Sequence, residues 1–196
     1  ARVTRVWPSV GQTEGGTAVR VVGTGFGVGR WSCRFGTAGV SEARQVSVSE
    51  LACVSPRHEQ GGEVAVGVAL EGVEYSEDEA VFRYASRPVV ESVTPSYGSS
   101  AGGYEVTIRG SNLGEAGSDV WVRFGAGEPM QGWFVENGTA VACSVPSAYQ
   151  PGNATVEIAS NGVDFSASYV VFSYVTVGCF YLAPSMGGTA GGTTVR

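Results

Sequence analysis

The chain has 196 residues, 43% of them hydrophobic and only 15% charged, with 30 glycines, no lysine and a net charge of −6. That length exceeds one β-sandwich of roughly 100 residues and accommodates two. Acidity without lysine argues against nucleic acid, whose phosphates are held by clustered basic side chains, and no run approaches the roughly 18–20 consecutive apolar residues of a membrane helix.

In chain order, Pro8, Gly11 and the pair Gly15 and Gly16 come first, followed by Val19 and Val21 in the two-residue alternation of a half-buried strand. GTGFGVG from Gly23 leads to Trp31 and Cys33, not to a helix carrying Lys-Ser/Thr, so it reads as turns and not as a phosphate loop. VAVGVAL over 64–70 places Val64, Val66, Val68 and Leu70 on one face. The acidic run Glu77, Asp78, Glu79 reads as a solvated turn before a strand holding Val81, Phe82 and Tyr84, because it lacks the alternating oxygen spacing of a Ca²⁺ loop. No segment sustains helical periodicity. The class is all-β.

These features then recur. VTRVWPSVGQTEGGTAVRVVGTGF from Val3 matches VESVTPSYGSSAGGYEVTIRGSNL from Val90, and CFYLAPSMGGTAGGTTVR from Cys179 begins a third copy. CRFG at Cys33 pairs with VRFG at Val122, LACVSP at Leu51 with VACSVP at Val141, and GVEYS at Gly72 with GVDFS at Gly162, at offsets of 87 to 90. Such an ordered set defines a repeat of supersecondary units. The predicted organisation is module one over 1–86, module two over 87–176 and a fragment of a third over 177–196. Charge is uneven, with nine Arg against ten acids in 1–87 and two Arg against eight acids in 88–176.

Pro-x-x-Gly, Gly-Gly, a β-branched strand ending Gly-x-x-Phe/Leu, then Phe-Gly and Cys-x-x-Pro, found twice in this order, resembles the IPT/TIG family. The resemblance implies tandem, seven-stranded, early-set immunoglobulin-like β-sandwiches. Such modules occur in plexins and related receptors, in fibrocystin-like surface arrays, beside starch-degrading catalytic domains and in Rel-type transcription factors, so the family fixes the fold better than the function. Many extracellular members pair the Cys before Phe-Gly with the Cys before x-x-Pro, which implies a Cys33–Cys53 disulfide. Val122 replaces the first of these in module two and leaves Cys143 without that partner. Three partners stay open for Cys179: Cys143, which ranks first, a residue outside these 196, or none.

Signs of chemistry are sparse. The single histidine, His58, reads as a surface side chain in a turn after Pro56 and offers no base for a nucleophile, and the four cysteines lack metal-ligand spacing. The reading is therefore non-enzymatic, with no cofactor. Asn137-Gly-Thr and Asn153-Ala-Thr satisfy the N-glycosylation pattern in predicted turns. Among Trp7, Trp31, Trp121 and Trp133, the second and third precede the Phe-Gly motifs and read as packing residues; Trp133 is the candidate exposed ring for a glycan or partner contact.

The expected role is an extracellular structural or adhesive array, a stalk or fibre component, whose partners are neighbouring modules, other extracellular proteins or glycans. The alternatives are the ligand-binding ectodomain of a plexin-like receptor and a carbohydrate-binding region of a glycan-active enzyme. Junctions at 84–90 and 174–179 are too short for flexible linkers and predict a restricted, end-to-end orientation between modules.

Overall fold

A computed structural model of the chain describes residues 1–77, 80–176 and 183–195. Module one contains β1 (Arg2–Trp7), β2 (Val10–Gln12), β3 (Ala18–Thr24), β4 (Trp31–Phe35), β5 (Gly39–Ser47), β6 (Glu50–Val54), β7 (Gly62–Leu70) and β8 (Val81–Ala85). Module two repeats them as β9 (Val89–Thr94), β10 (Tyr97–Ser99), β11 (Glu105–Ser111), β12 (Val120–Phe124), β13 (Met130–Val135), β14 (Ala140–Ser144), β15 (Gly152–Ala159) and β16 (Val171–Val175). Among the described residues the one helical element is a 3₁₀ turn, Glu136–Gly138.

Hydrogen bonding runs β1-β3-β6-β5-β4-β7-β8-β2 in module one, and the equivalent strands of module two follow the identical order. The ribbon folds over itself because β5 serves both halves: Gly39–Ala43 pairs with β4, and Arg44–Ser47 pairs with β6. In module two, β13 makes the same crossing. The result is an immunoglobulin-like sandwich in each repeat.

The family pattern implies seven strands, and each module has eight. The extra one arises at proline, which cannot donate to a ladder. Before Pro8 the chain runs antiparallel to β3, and after it the short β2 runs parallel to β8, so the first strand is split between the two halves of the sandwich. Pro95 divides β9 from β10 in the same way.

Each module closes its own core. Phe35, Phe82 and Tyr84 make edge-to-face ring contacts in the first, and Phe124, Phe172 and Tyr174 repeat them in the second. The Cys33–Cys53 disulfide joins β4 to β6 across the first core, with 20 residues of chain separation. At the matching positions Val122 and Cys143 are both fully buried in the second core, and Cys143 is a free thiol. Cys179 lies outside the described residues.

Candidate functional site at the module junction

The two modules meet through a small set of polar side chains. Asn161, Gly162, Val163 and Asp164 form the turn after β15, and the Asn161 carbonyl Oδ1 accepts from the backbone N–H groups of Val163 (3.0 Å) and Asp164 (2.8 Å). This is an Asx-type turn, in which a short amide side chain replaces backbone pairing. With Oδ1 engaged locally, the Nδ2 donor points outward. It gives one hydrogen bond to Asp164 Oδ2 (2.8 Å) and another to the Val10 carbonyl of module one (2.9 Å).

Thr17 of module one donates through Oγ1 to the same Asp164 Oδ2 at 2.6 Å, and Gln12 Nε2 donates to the Asp164 carbonyl at 3.4 Å. Thr17 is fully buried and Gln12 nearly so. A hydrogen bond to an ionised acceptor contributes about 1.5–3 kcal/mol when water is excluded, and loss of one partner leaves the other desolvated. Arg87, in the connector, ties both sides: its Nε donates to Gln12 Oε1 (2.9 Å), while its carbonyl accepts from Asn112 Nδ2 of module two (3.3 Å). An Arg83–Glu115 ion pair also crosses the junction, although an exposed pair of this kind adds little.

The repeat supplies an internal control for what this contact covers. Pro8 of module one is buried and its counterpart Pro95 is exposed. Likewise Val10 is half-buried, while Tyr97 at the same position of module two is 65% exposed. Position 17 is the buried Thr that meets Asp164, and its counterpart Tyr104 is half-buried and turns its hydroxyl back to Ser99 O at 2.9 Å.

Beside the polar contacts lies an open cleft of about 510 Å³, lined by both modules. Trp7 and Pro8 come from the first, and Trp121, Pro129, Asp119 and Ser160 from the second. Trp121 therefore does more than pack: it is half-buried against Gly162 and faces the cleft, whereas Ser32, at the same place in module one, shares a hydrogen bond of 2.8 Å with the Tyr75 hydroxyl. Trp31 aligns instead with the buried Val120 and is itself buried, its indole N–H bonded to Gly27 O at 2.8 Å. Trp133 is exposed on β13, away from this cleft.

Other residues singled out from sequence fall elsewhere. His58 stacks on Tyr84, with ring centroids 5.0 Å apart, and its Nδ1 donates to Gln60 O. It caps an aromatic core residue. Glu77 is exposed, and Asp78 and Glu79 lie outside the described residues. Asn137 sits exposed in the 3₁₀ turn, as the sequence suggests. Asn153 does not sit in a turn: it is the second residue of β15, paired with Ser173, whose hydroxyl donates to its Oδ1 at 2.9 Å. The misplacement has a simple cause, because Pro151 and Gly152 end the turn one residue earlier than their composition suggests. No three His, Cys, Asp or Glu side chains converge among the described residues.

The family model for the IPT/TIG domain matches residues 1–84 and again 88–174. The chain belongs to the IPT/TIG domain family. Human Plexin-A3 is 30% identical over 185 residues, covering 88% of this chain and 10% of the relative, and human Plexin-A2 is 31% identical over 155 residues, covering 76% and 8%. The chain thus spans about a tenth of the length of these relatives. Among solved structures, the full extracellular region of plexin A4 superposes with a TM-score of 0.58 at 19% identity, over 88% of this chain and 16% of that one. At that identity the superposition speaks for the fold alone. Within the IPT/TIG frame, the residues that join the modules, Thr17, Gln12, Asn161 and Asp164, are ordinary turn and strand residues by type. The available signal is their inequality between copies: Gln12 and Thr17 stand where module two has Ser99 and Tyr104.

Proposed function

We propose that this IPT/TIG pair is a segment of a plexin-like extracellular receptor region that sets the orientation between successive modules and has no catalytic role. The observation that carries this reading is the extent of the match: similarity to Plexin-A3 runs over 185 residues and so takes in both modules. A receptor segment accounts for that better than the stalk or fibre role suggested by the repeat alone. The Cys33–Cys53 bridge fits an oxidising, extracellular setting, and the junction hydrogen bonds suit a segment that transmits position. Asn137, exposed in its turn, is the favoured glycan acceptor; Asn153, held in a paired strand, is the lesser one.

The test is topological. An antibody raised against the folded chain should label intact, unpermeabilised cells of the native source, and mild external protease should remove the label. Labelling that appears only after permeabilisation overturns the receptor reading.

A further inference from the structure

The cleft between the modules combines two features that seldom occur together on a surface whose only task is packing. Its walls are flat and apolar: Trp7, 54% exposed, with Pro8 on one side, and Trp121 with Pro129 on the other. Its polar groups are unspent. Asp119 takes part in a single long contact, from Gln131 Nε2 at 3.4 Å, and among the described residues the indole N–H groups of Trp7 and Trp121 and the hydroxyls of Ser9 and Ser160 have no hydrogen-bond partner within the chain.

Repeat symmetry again shows what is distinctive. In module one the residue equivalent to Trp121 is Ser32, whose hydroxyl shares a hydrogen bond of 2.8 Å with the Tyr75 hydroxyl. Module two places an indole at this position where module one has a hydroxyl, and among the described residues that indole N–H has no partner. Its nitrogen, beside Gly162, is not among the fully buried polar atoms that lack a partner, of which Ser41 Oγ is the one in the described residues.

A ligand that answers this arrangement needs a flat apolar face for the rings and a rim of hydroxyls that both donate and accept. Aromatic faces suit the first demand, and a carboxylate with two N–H donors suits the second. Pyranose rings have both properties, their axial C–H bonds forming an apolar face and their hydroxyls the rim. The volume falls within the roughly 300–1,000 Å³ range of small-ligand sites. Charge narrows the class further. Asp119 lines the cleft, module two carries two Arg against eight acids, and the whole chain stands at −6, so sulfated or uronic chains are repelled.

We propose that the inter-module cleft is a binding site for a neutral oligosaccharide, stacked between Trp7 and Trp121 and hydrogen-bonded by Asp119 and the Trp121 N–H. The site exists only while both modules hold their relative position, since each contributes one wall. It does not depend on the receptor reading, because a glycan site at this junction would serve any extracellular array.

The experiment is calorimetric titration of the disulfide-intact chain, with tryptophan emission followed in parallel, against cellohexaose, chitohexaose and mannohexaose. A heparin hexasaccharide and a proline-rich decapeptide complete the series. At least one neutral hexasaccharide should bind and shift the emission. Trp7→Ala should weaken that binding by about tenfold or more, Trp121→Phe, which keeps a ring and removes the N–H, should weaken it several-fold, and Trp133→Ala should leave it unchanged. The proposal is overturned if no neutral saccharide binds at millimolar concentration, if Trp7→Ala binds as the parent does, or if only the heparin fragment or the peptide engages the cleft.

Discussion

Thr17 and Asp164, separated by 147 residues and lying in different modules, share a hydrogen bond of 2.6 Å from Oγ1 to Oδ2. The threonine is fully buried there, and the carboxylate oxygen it meets also accepts from Asn161 Nδ2 at 2.8 Å. This geometry makes the Asp164 carboxylate the natural place to unlock the junction, because the Thr17 hydroxyl also accepts from the Gln12 N–H inside module one at 3.3 Å. Thr17→Val keeps the shape and removes the donor, so the carboxylate stays covered with one partner fewer. A cost of about 1–3 kcal/mol to module docking is expected. Solution scattering on the parent should fit one narrow distribution of inter-module angles. Asp164→Ala should broaden it while the melting of each module stays in place, and Thr17→Val should broaden it with a lower melting of module one, because the buried Gln12 N–H loses the Thr17 Oγ1 that it meets. A parent chain already broad in angle would refute the orienting role.

A second prediction uses the replacement of one cysteine. Cys33 and Cys53 bridge β4 to β6 in module one, and the matching residues of module two, Val122 and Cys143, occupy the same core with no exposure. Val122→Cys should therefore bond to Cys143. A loop of this length restricts the unfolded chain by about 3 kcal/mol, so module two should melt several degrees higher under oxidising conditions and return to the parent value with reductant. Non-reducing peptide mapping checks the linkage. Two free thiols in the folded variant would mean that the second sandwich is spaced differently from the first.

Cys143 supplies a third expectation. Burial, with the Glu105 carboxylate adding to it, pushes the thiol up from its usual 9.0 to about 12. Nucleophilic attack needs the thiolate, so iodoacetamide should spare Cys143 in the native chain at neutral pH and modify it on unfolding. Burial likewise raises the phenols of Tyr84 and Tyr174 from 10.0 to about 12, the Ser55 hydrogen bond offsetting part of this for Tyr84 and the neighbouring Tyr104 and Cys143 reinforcing it for Tyr174. All three groups hold their protons more tightly folded than unfolded. Their contribution is complete below about pH 9 and lost as the pH climbs towards 12. Denaturation midpoints should be level from pH 7 to 9 and fall beyond it, and a midpoint that rises in this range would contradict the assignment.

Much of this architecture can be read from the chain because repetition amplifies weak signals. One Pro-x-x-Gly says little, but Pro8 with Gly11 and Pro95 with Gly98 in the same order fix two first strands. Cys33 and Cys53 were likewise marked by their places before Phe-Gly and x-x-Pro. The junction was less legible for a physical reason. Asn161-Gly162 announces a turn by composition, but whether a turn meets solvent or another module is decided by tertiary docking, which leaves no period in the sequence. Trp121 misled for a different reason: it stands three residues before its Phe-Gly where Trp31 stands four, so the two-residue strand period puts the rings on opposite faces, Trp31 at the place of the buried Val120 and Trp121 towards the cleft. Asn153 was misplaced because a Pro-Gly pair marks the existence of a turn better than its last residue.

The fourth prediction separates the two roles that one glycine position plays. Gly11 and Gly98 are equivalent, and neither is needed for an unusual backbone angle, since neither is among the positive-φ glycines. Both are there for room. A Cβ at Gly11 would overlap Thr17 Oγ1 and come within 2.5 Å of Phe82 Cζ, whereas at Gly98 it would overlap the Tyr104 hydroxyl and come within 2.5 Å of its Cζ. Overpacking of this kind costs about 1–3 kcal/mol. In module one the atom displaced is the hydroxyl that holds Asp164, so Gly11→Ala should lower the melting temperature and also loosen the junction. In module two the displaced ring touches no other module among the described residues; its hydroxyl bonds Ser99 O. Gly98→Ala should lower the melting temperature by a similar amount and leave the inter-module angle as it was. Paired calorimetry and scattering on the two variants distinguish these outcomes, and equal loosening in both would show that the junction responds to general destabilisation and not to the position of Thr17.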